Sequence, residues 1–367
     1  MMHCPSLLLA IAAILASVVD AHTIFTTLFI DDVSQGDGTC VRMNMDPQQC
    51  TSPVSSLSSD DMACGASGEQ PVAFACPAPA SQKLTFQWRT WADAEQPGAL
   101  DPSHKGPCAI YAKQVQDMTS TSAAGPGWIK LWDEGYDASA GKWCTEKLIA
   151  NHGLLSFDTP EALPAGTWLF RPELLALHNA VQGDPQFYVG CAQVFVESSN
   201  TAPLAAPDDR SVSIPGHVQA GDPGLTFNIY APKFPYTMPG PQVYVPPVPK
   251  TTISTSGAKV LQQTEGVVPA NYLIKNANWV GTELADYATE DGCWNASEAC
   301  WDQAAVCYDS APPSGSANCR VWETKCEGIQ QDCSAGNFVG PPNKGQKLVS
   351  QEPASPPNLP DARNARS

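Results

Sequence analysis

The sequence has little positive charge. It holds 20 Lys and Arg residues against 37 Asp and Glu residues, which gives the 367-residue chain a formal net charge of −17. Proteins that bind nucleic acid or an anionic membrane surface present a basic face to the phosphates. We therefore expect neither nucleic acid nor a membrane to be a partner of this chain.

Long apolar runs are also missing. The stretch 7–19 is uncharged and apolar, but at about 13 residues it is too short for a transmembrane helix, which needs ~20. Val19 and Ala21 place small residues at the −3 and −1 positions of a signal-peptidase site. We predict that residues 1–21 are a secretory signal peptide, that the mature chain begins at His22, and that the protein is extracellular.

Helical periodicity is absent from the first two thirds of the chain. Short apolar segments instead recur between Gly, Pro, Asn and Asp clusters, and several of them alternate apolar and polar residues as a half-buried strand does. These segments are 84–88, 128–132, 167–170, 193–196 and 225–230. The pattern predicts an all-β fold, a two-sheet β-sandwich with long loops over residues 22–246.

The last third of the chain has a different composition. We predict a Pro-rich linker over 247–289, a cysteine-rich unit over 290–335 and a disordered tail over 336–367. Six cysteines of the unit are separated by six, six, eleven, six and six residues. A seven-residue step returns to nearly the same face of a helix, and the eleven-residue gap contains the helix-breaking segment 310–317.

The palindromic spacing predicts two antiparallel helices joined by three disulfides. The pairs would be Cys293–Cys333, Cys300–Cys326 and Cys307–Cys319. A zinc site is the competing interpretation, but a secreted segment without histidine makes it the weaker one. The sandwich itself has an odd number of cysteines, so at least one of them is free or pairs elsewhere. They are Cys40, Cys50, Cys64, Cys76, Cys108, Cys144 and Cys191.

A histidine at the start of the mature chain is an unusual metal ligand. The α-amine and ring of His22 can chelate one ion together, and a second imidazole would complete a planar site of three nitrogens. That donor set suits Cu(II) better than Zn(II). His104 is the candidate for the second ligand because it lies in a turn-rich loop, although it could also be an ordinary exposed histidine.

A further polar group follows near residue 180. Gln186 and Tyr188 are two residues apart, so they share a face if the segment is a strand, whereas Phe187 would point into the core. His178 precedes them across a turn. On its own, this pattern is equally typical of an edge strand with a polar outer face.

Together these segments resemble the fungal lytic polysaccharide monooxygenases of auxiliary activity family 9, formerly glycoside hydrolase family 61. The resemblance covers residues 22–246 and depends on the order of several short motifs. They are the histidine at the mature start, SHKGP at 103–107, LALH at 175–178, QFY at 186–188, DMACG at 61–65 and PYTMPGP at 235–241.

The resemblance implies an immunoglobulin-like sandwich with a single copper ion on a flat face. His22 and His104 would bind the copper, Tyr188 would lie in the axial position, and His178 and Gln186 would contact the oxygen species. It also implies a Cys64–Cys191 disulfide. The activity implied is oxidative cleavage of cellulose or a related β-glucan at C1 or C4. The reaction uses an external electron donor and dioxygen or hydrogen peroxide, and we expect a monomer.

Two positions depart from the pattern of the family. Pro172 stands where many relatives have histidine, and Val189 replaces a common proline. Neither is a proposed ligand, so the departures concern local positioning rather than metal binding.

Several aromatic residues are candidates for substrate contact. We expect Tyr244, Tyr236 and loop residues after His22 to face the polysaccharide, although they could equally pack in turns or in the core. A stripe formed by Trp294, Trp301 and Tyr308 recurs at seven-residue steps and could stack on sugars or pack internally. We favour internal packing because Asn295, within the N-glycosylation sequon 295–297, would carry a glycan beside the stripe.

Two other functions remain open from the sequence. The chain could be a non-catalytic extracellular copper-binding protein that uses the same two histidines, or a protein that only binds carbohydrate. The combination of His178, Gln186 and Tyr188 favours the enzyme, because copper binding alone does not require them.

Overall fold

The computed structural model describes residues 22–118, 121–248 and 260–353, together with residues 356 and 360. The predicted signal peptide and the end of the predicted tail lie outside these residues. The strands are β1 Ile24–Ile30, β2 Val33–Asp37, β3 Val41–Arg42, β4 Cys76–Pro79, β5 Lys83–Arg89, β6 Cys108–Val115, β7 Gly125–Glu134, β8 Tyr136–Asp137, β9 Lys142–Trp143, β10 Leu154–Asp158, β11 Gly166–Ala176, β12 Gln186–Val189, β13 Cys191–Glu197, β14 Ser211–Ile214, β15 Ile274–Asn276 and β16 Trp279–Gly281. The α-helices are α1 Asp61–Cys64, α2 Cys144–Ala150, α3 Glu290–Asp309 and α4 Ala317–Ser334.

Two sheets form the sandwich that the sequence predicts. One has the strand order β10-β5-β1-β2, and the other has the order β14-β7-β6-β11-β13-β3, with β12 and β4 paired to its central strands. Phe25 and Phe86 of the first sheet share a buried cluster with Ile110 and Phe170 of the second. The all-β prediction is therefore confirmed, and the core lies between the two sheets.

The outer face of the larger sheet is also buried. Tyr111 of β6 and Leu175 of β11 belong to a second cluster, which includes Val218 and Leu225 from the long segment after β14. Successive residues of a strand point to opposite faces, so a strand that is covered on both sides is apolar throughout. This second layer explains why β11 is buried at nearly every position.

The cysteine-rich unit is the predicted helical hairpin. The disulfides Cys293–Cys333, Cys300–Cys326 and Cys307–Cys319 join α3 to α4, as the spacing indicates. Thr289 caps the start of α3 by accepting a hydrogen bond from the amide of Gly292. Trp322 fills the space between the helices, and its indole nitrogen donates to the Cys300 carbonyl.

Three further disulfides lie in the sandwich. They are Cys64–Cys191, which the family resemblance implies, and Cys40–Cys76 and Cys108–Cys144. Cys50 is buried and unpaired, which accounts for the odd number of cysteines in this part of the chain.

The predicted linker and tail are wrong over part of their length. Strands β15 and β16 pair within the range 247–289, which we predict as a linker. Leu273 and Trp279 are buried in the hairpin's core, which provides the apolar contacts that stabilise two such short strands. The range 336–353 is also held in place, since Gly340 pairs with Tyr287 and the Leu348 amide donates to the Leu273 carbonyl. Residues 249–259 lie outside the described part.

The C-terminal unit is attached to the sandwich by specific hydrogen bonds. The side chain of Asn278 accepts a hydrogen bond from the Cys40 amide at 3.1 Å and donates one to the Gly38 carbonyl at 2.8 Å. It thus pairs with the backbone in the way that a neighbouring strand does. The Thr39 hydroxyl donates to the Ala277 carbonyl at 3.1 Å. A Cβ on Gly38 would lie 2.8 Å from Pro312, so the close approach needs glycine. The turn between β15 and β16 therefore acts as a clasp on the sandwich.

Replacing Asn278 with alanine should open this clasp. Each backbone group that loses its partner in a contact of this kind costs about 1–3 kcal/mol, so the C-terminal unit should detach more often. We expect faster cleavage after residue 260 in limited proteolysis, whereas Asn337→Ala, on an exposed position of the same unit, should cleave at the wild-type rate. Equal rates for the two variants would contradict the clasp.

Candidate metal centre

Three histidines and a tyrosine meet at one end of the sandwich. His22 precedes β1, His104 lies in the loop before β6, His178 follows β11, and Tyr188 is on β12. The His104 ring centroid is 4.2 Å from that of His178 and 5.9 Å from that of Tyr188. The His22 and Tyr188 centroids are 6.1 Å apart. The structure thus brings together residues that are up to 166 positions apart in the sequence.

The backbone fixes the distance between the His104 loop and His178. The Leu177 amide donates to the Lys105 carbonyl at 2.9 Å, and the Leu175 amide donates to the Pro107 carbonyl at 3.1 Å. Gly106 between them presses against the Leu175 carbonyl so closely that any Cβ would overlap it. Position 106 of the SHKGP motif therefore requires glycine, because this loop contacts the end of β11 so closely.

His104 has the properties of a ligand that is ready to bind. Its side chain is almost fully buried, and its Nε2 has no hydrogen-bond partner among the described residues. Its Nδ1 lies 3.2 Å from the Ser103 hydroxyl and 3.9 Å from a carboxylate oxygen of Asp101. Burial, and then the neighbouring His178, lower the pKa of His104 to about 4. The ring is therefore neutral at pH 7, and a proton on Nδ1 leaves the Nε2 lone pair available to a metal.

His178 is the second neutral imidazole at this end of the sandwich. Burial lowers its pKa, although the carboxylates of Asp184 and Asp101 oppose the shift. Its Nδ1 is buried and has no hydrogen-bond partner among the described residues. An imidazole in this state has one N–H to donate and one lone pair to accept with.

The side chains of Gln186 and Tyr188 are coupled on β12. The Tyr188 hydroxyl donates to Oε1 of Gln186 at 2.9 Å, which places the two side chains on one face. The Gln186 amide nitrogen donates to the Asp184 carboxylate at 3.2 Å. Asp184 therefore orients the amide of Gln186. Sequence reasoning did not identify this residue as part of the site, although its position in the turn two residues before Gln186 is a usable signal.

The donors at this centre are nitrogens rather than carboxylates or thiolates, and they fit copper. Within 22–118, 121–248 and 260–353, no group of three or more His, Cys, Asp or Glu side chains is placed to hold a metal ion. Two imidazoles and a terminal amine would not count as such a group, because the third nitrogen would be the backbone nitrogen of His22. The orphaned, buried Nε2 of His104 beside His22 fits the three-nitrogen arrangement that Cu(II) prefers.

The other two tyrosines predicted to contact substrate are held by hydrogen bonds to backbone carbonyls. Tyr244 is half-buried against the sandwich core, where its amide donates to the Lys130 carbonyl and its hydroxyl to the Ala205 carbonyl. The Tyr236 hydroxyl donates to the Gly224 carbonyl. Substrate contact by Tyr244 stays a prediction.

The aromatic stripe of α3 is not a uniform platform. Trp301 packs against the core of the hairpin, whereas Trp294 is exposed and the hydroxyl of Tyr308 donates to Glu323. The predicted internal packing therefore holds for Trp301 and is wrong for Trp294 and Tyr308, which are both exposed at the surface of the hairpin. Asn295 is exposed beside Trp294 and remains a predicted glycosylation site.

Pro172 is accommodated by the pairing of β11. On one side of the strand, the pairing to β13 ends at Phe170 and the pairing to β12 begins at Glu173. Pro172 lies opposite Ile110 of β6 on the other side, but neither the β13 ladder nor the β12 ladder includes it. Val189 pairs with Glu173.

Comparison with known proteins identifies the family. The family model of Auxiliary Activity family 9 (formerly GH61) matches residues 22–237. The chain belongs to Auxiliary Activity family 9.

Its relatives are similar along most of the chain. It is 50% identical over 342 residues to an AA9 family lytic polysaccharide monooxygenase H of Botryotinia fuckeliana, which covers 90% of this chain and 77% of that protein. It is 48% identical over 358 residues to an AA9 family lytic polysaccharide monooxygenase C of Aspergillus tamarii, with 94% and 93% covered. The chain is thus a lytic polysaccharide monooxygenase, and its C-terminal unit lies within the part shared with the Aspergillus protein.

A solved structure supports the immunoglobulin-like sandwich. The crystal structure of a cellulose-active polysaccharide monooxygenase from M. thermophila is 27% identical, with a TM-score of 0.51. The match covers 61% of this chain and 99% of that one. Among the described residues, no helix is both long and apolar enough to cross a membrane.

Proposed function

We propose that this monooxygenase holds one copper ion at the candidate metal centre and cleaves cellulose or a related β-glucan oxidatively. The observation that carries the proposal is the buried Nε2 of His104, which lacks a partner and lies beside His22, His178 and Tyr188. The family is copper-dependent, and its known chemistry agrees with this donor set.

Each residue of the centre has a proposed role. The α-amine and ring of His22 and the Nε2 of His104 would hold the copper, with the Tyr188 phenol as a further ligand beside them. When bound, copper supplies one-electron redox chemistry and activates dioxygen or hydrogen peroxide. The neutral ring of His178 can donate a hydrogen bond to the oxygen co-substrate, and Gln186, oriented by Asp184, can add a second one.

The remaining parts of the proposal concern the protein's surroundings. We propose that a signal peptidase cleaves after Ala21, because only a free His22 amine completes the site. The protein then acts outside the cell, as a monomer that receives electrons from an external donor. The cellulose activity stated for the M. thermophila enzyme supports a glucan substrate, oxidised at C1, C4 or both.

Family membership argues against the two alternative functions. A protein that only bound copper would need the ligands but not the arrangement of His178, Gln186 and Asp184. A protein that only bound carbohydrate would need neither. Both alternatives predict that no oxidised sugar is released.

The proposal is tested with copper-loaded protein on swollen cellulose. With ascorbate present, the wild type should release oxidised cello-oligosaccharides, which mass spectrometry detects, and a chelator should stop the release. His104→Ala should lose this release because only one ring remains to bind copper. His152→Asn is the matched control, since this histidine lies between α2 and β10 and its φ of 56° suits asparagine. Release that persists in His104→Ala would refute the proposed ligand set.

A further inference from the structure

Thr23, the residue after the proposed terminal ligand, is bound on two sides. Its side chain is buried, with 2% of the residue exposed. Its hydroxyl donates to the Ala99 carbonyl at 2.5 Å and lies 3.3 Å from the Arg89 carbonyl. Its amide donates to the Thr51 carbonyl at 3.1 Å. Three separate segments of the chain therefore converge on one residue beside His22.

We propose that Thr23 is a positioning residue that sets the distance between His22 and His104. Ala99 lies only five residues before His104, in the same loop. The hydroxyl of Thr23 thus ties the start of β1, which carries one ligand, directly to the loop that carries the other. This inference rests on the proposed copper site.

The loop between Ala99 and His104 is held by burial and hydrogen bonds, so a shift of Ala99 also moves His104. Ala99 and Leu100 are buried, and the amide of His104 donates to the Asp101 carbonyl at 3.0 Å. The Thr90 amide donates to the Gly98 carbonyl at the other end of the segment. A displacement at Ala99 therefore reaches His104 through a short, hydrogen-bonded turn.

The amide of Thr23 contributes a second constraint. The peptide bond that carries this N–H also contains the carbonyl of His22, and it is planar. A hydrogen bond from it to Thr51 therefore fixes the plane that leads to the Cα of His22, from which both the amine and the ring project. The strand ladder does not supply this constraint, since β1 begins one residue later, at Ile24.

The isosteric variant Thr23→Val tests the tie. It keeps the shape of the side chain and removes the hydroxyl, and with it the short hydrogen bond to Ala99 and the longer contact with Arg89. Loss of a residue that orients a metal ligand typically weakens metal binding 10–100-fold, so we expect the Kd for Cu(II) to rise about tenfold. The electron paramagnetic resonance spectrum of the bound Cu(II) should also change, and Thr23→Ser, which restores the hydroxyl, should return both values to those of the wild type.

A matched control separates positioning from stability. Thr85 on β5 is buried, and its hydroxyl is hydrogen-bonded to Ser156 at 2.7 Å. Thr85→Val should lower the thermal midpoint of the copper-free protein as Thr23→Val does, but leave the Kd and the copper spectrum unchanged. If Thr23→Val also leaves both unchanged while the wild type binds copper, the tie is refuted and the copper site stands.

A measurement on the copper-free protein tests the role of Thr23 independently of whether the protein binds copper. In the copper-free protein, Thr23→Val should shift the ring resonances of His104 in NMR spectra, whereas Thr85→Val should not. If the wild type fails to bind copper, the proposed function is refuted, and the NMR comparison still decides whether Thr23 positions the loop. Unshifted His104 resonances in Thr23→Val would overturn the inference.

Discussion

A single alanine added in front of His22 should abolish tight copper binding. The nitrogen of His22 would then be part of a peptide bond, where its lone pair is delocalised, so the neutral nitrogen is no longer a donor. The free α-amine, with a reference pKa of about 8, needs to lose only one proton. We expect the Kd for Cu(II) to rise more than about 100-fold, beyond the range caused by changes around the ligands.

The extension is best made removable. A protease site placed so that cleavage leaves His22 first gives the extended and the trimmed protein from one preparation. Before cleavage, copper titration should show no tight binding and no oxidised cello-oligosaccharides should be released. After cleavage, both the tight binding and the release should appear. Equal affinity in the two forms would show that the amine is not a ligand and would remove the basis of the proposed site.

The residues of the centre were predictable because each lies in a short motif whose order is specific to the family. Their distances were not, since they follow from contacts such as that of Gly106 with Leu175, which join segments 69 positions apart. The same holds for Thr23, which looks like an ordinary strand residue in the sequence. Its role depends on carbonyls of segments that only the fold brings near it.

The cysteines show the same limit. The hairpin pairs follow from a spacing that one helix face explains, so local periodicity was sufficient. The pair Cys40–Cys76 requires knowing that β3 and β4 both lie against β13, which no local pattern indicates. The paired strands β15 and β16 escaped prediction because three-residue strands carry almost no periodicity of their own.

A buried ion pair on β11 should be the most sensitive point for stability. Arg171 and Glu173 of β11 are both almost fully buried, and Nη1 of the arginine lies 2.7 Å from Oε2 of the glutamate. The Arg171 Nε donates to the Met62 carbonyl at 2.9 Å, and Nε2 of His217 lies 3.5 Å from the same glutamate oxygen. Burial alone would raise the pKa of Glu173, but the charge of Arg171 and the contact with His217 outweigh it and lower the pKa to about 2.

Glu173→Gln should therefore destabilise the copper-free protein by about 3–5 kcal/mol at pH 7, because it leaves the charge of Arg171 buried without its counter-ion. The folded-state pKa lies below the usual 4.5, so the contribution of Glu173 is fully present above pH 4.5 and is lost as the pH falls towards 2. The difference between wild type and variant in denaturant unfolding should shrink over that window. The exposed pair Lys83–Asp32 is the control, since Asp32→Asn should cost at most about 1 kcal/mol. A Glu173→Gln variant as stable as this control would mean that the buried pair contributes no more than a surface pair, and that burial of Arg171 is compensated elsewhere.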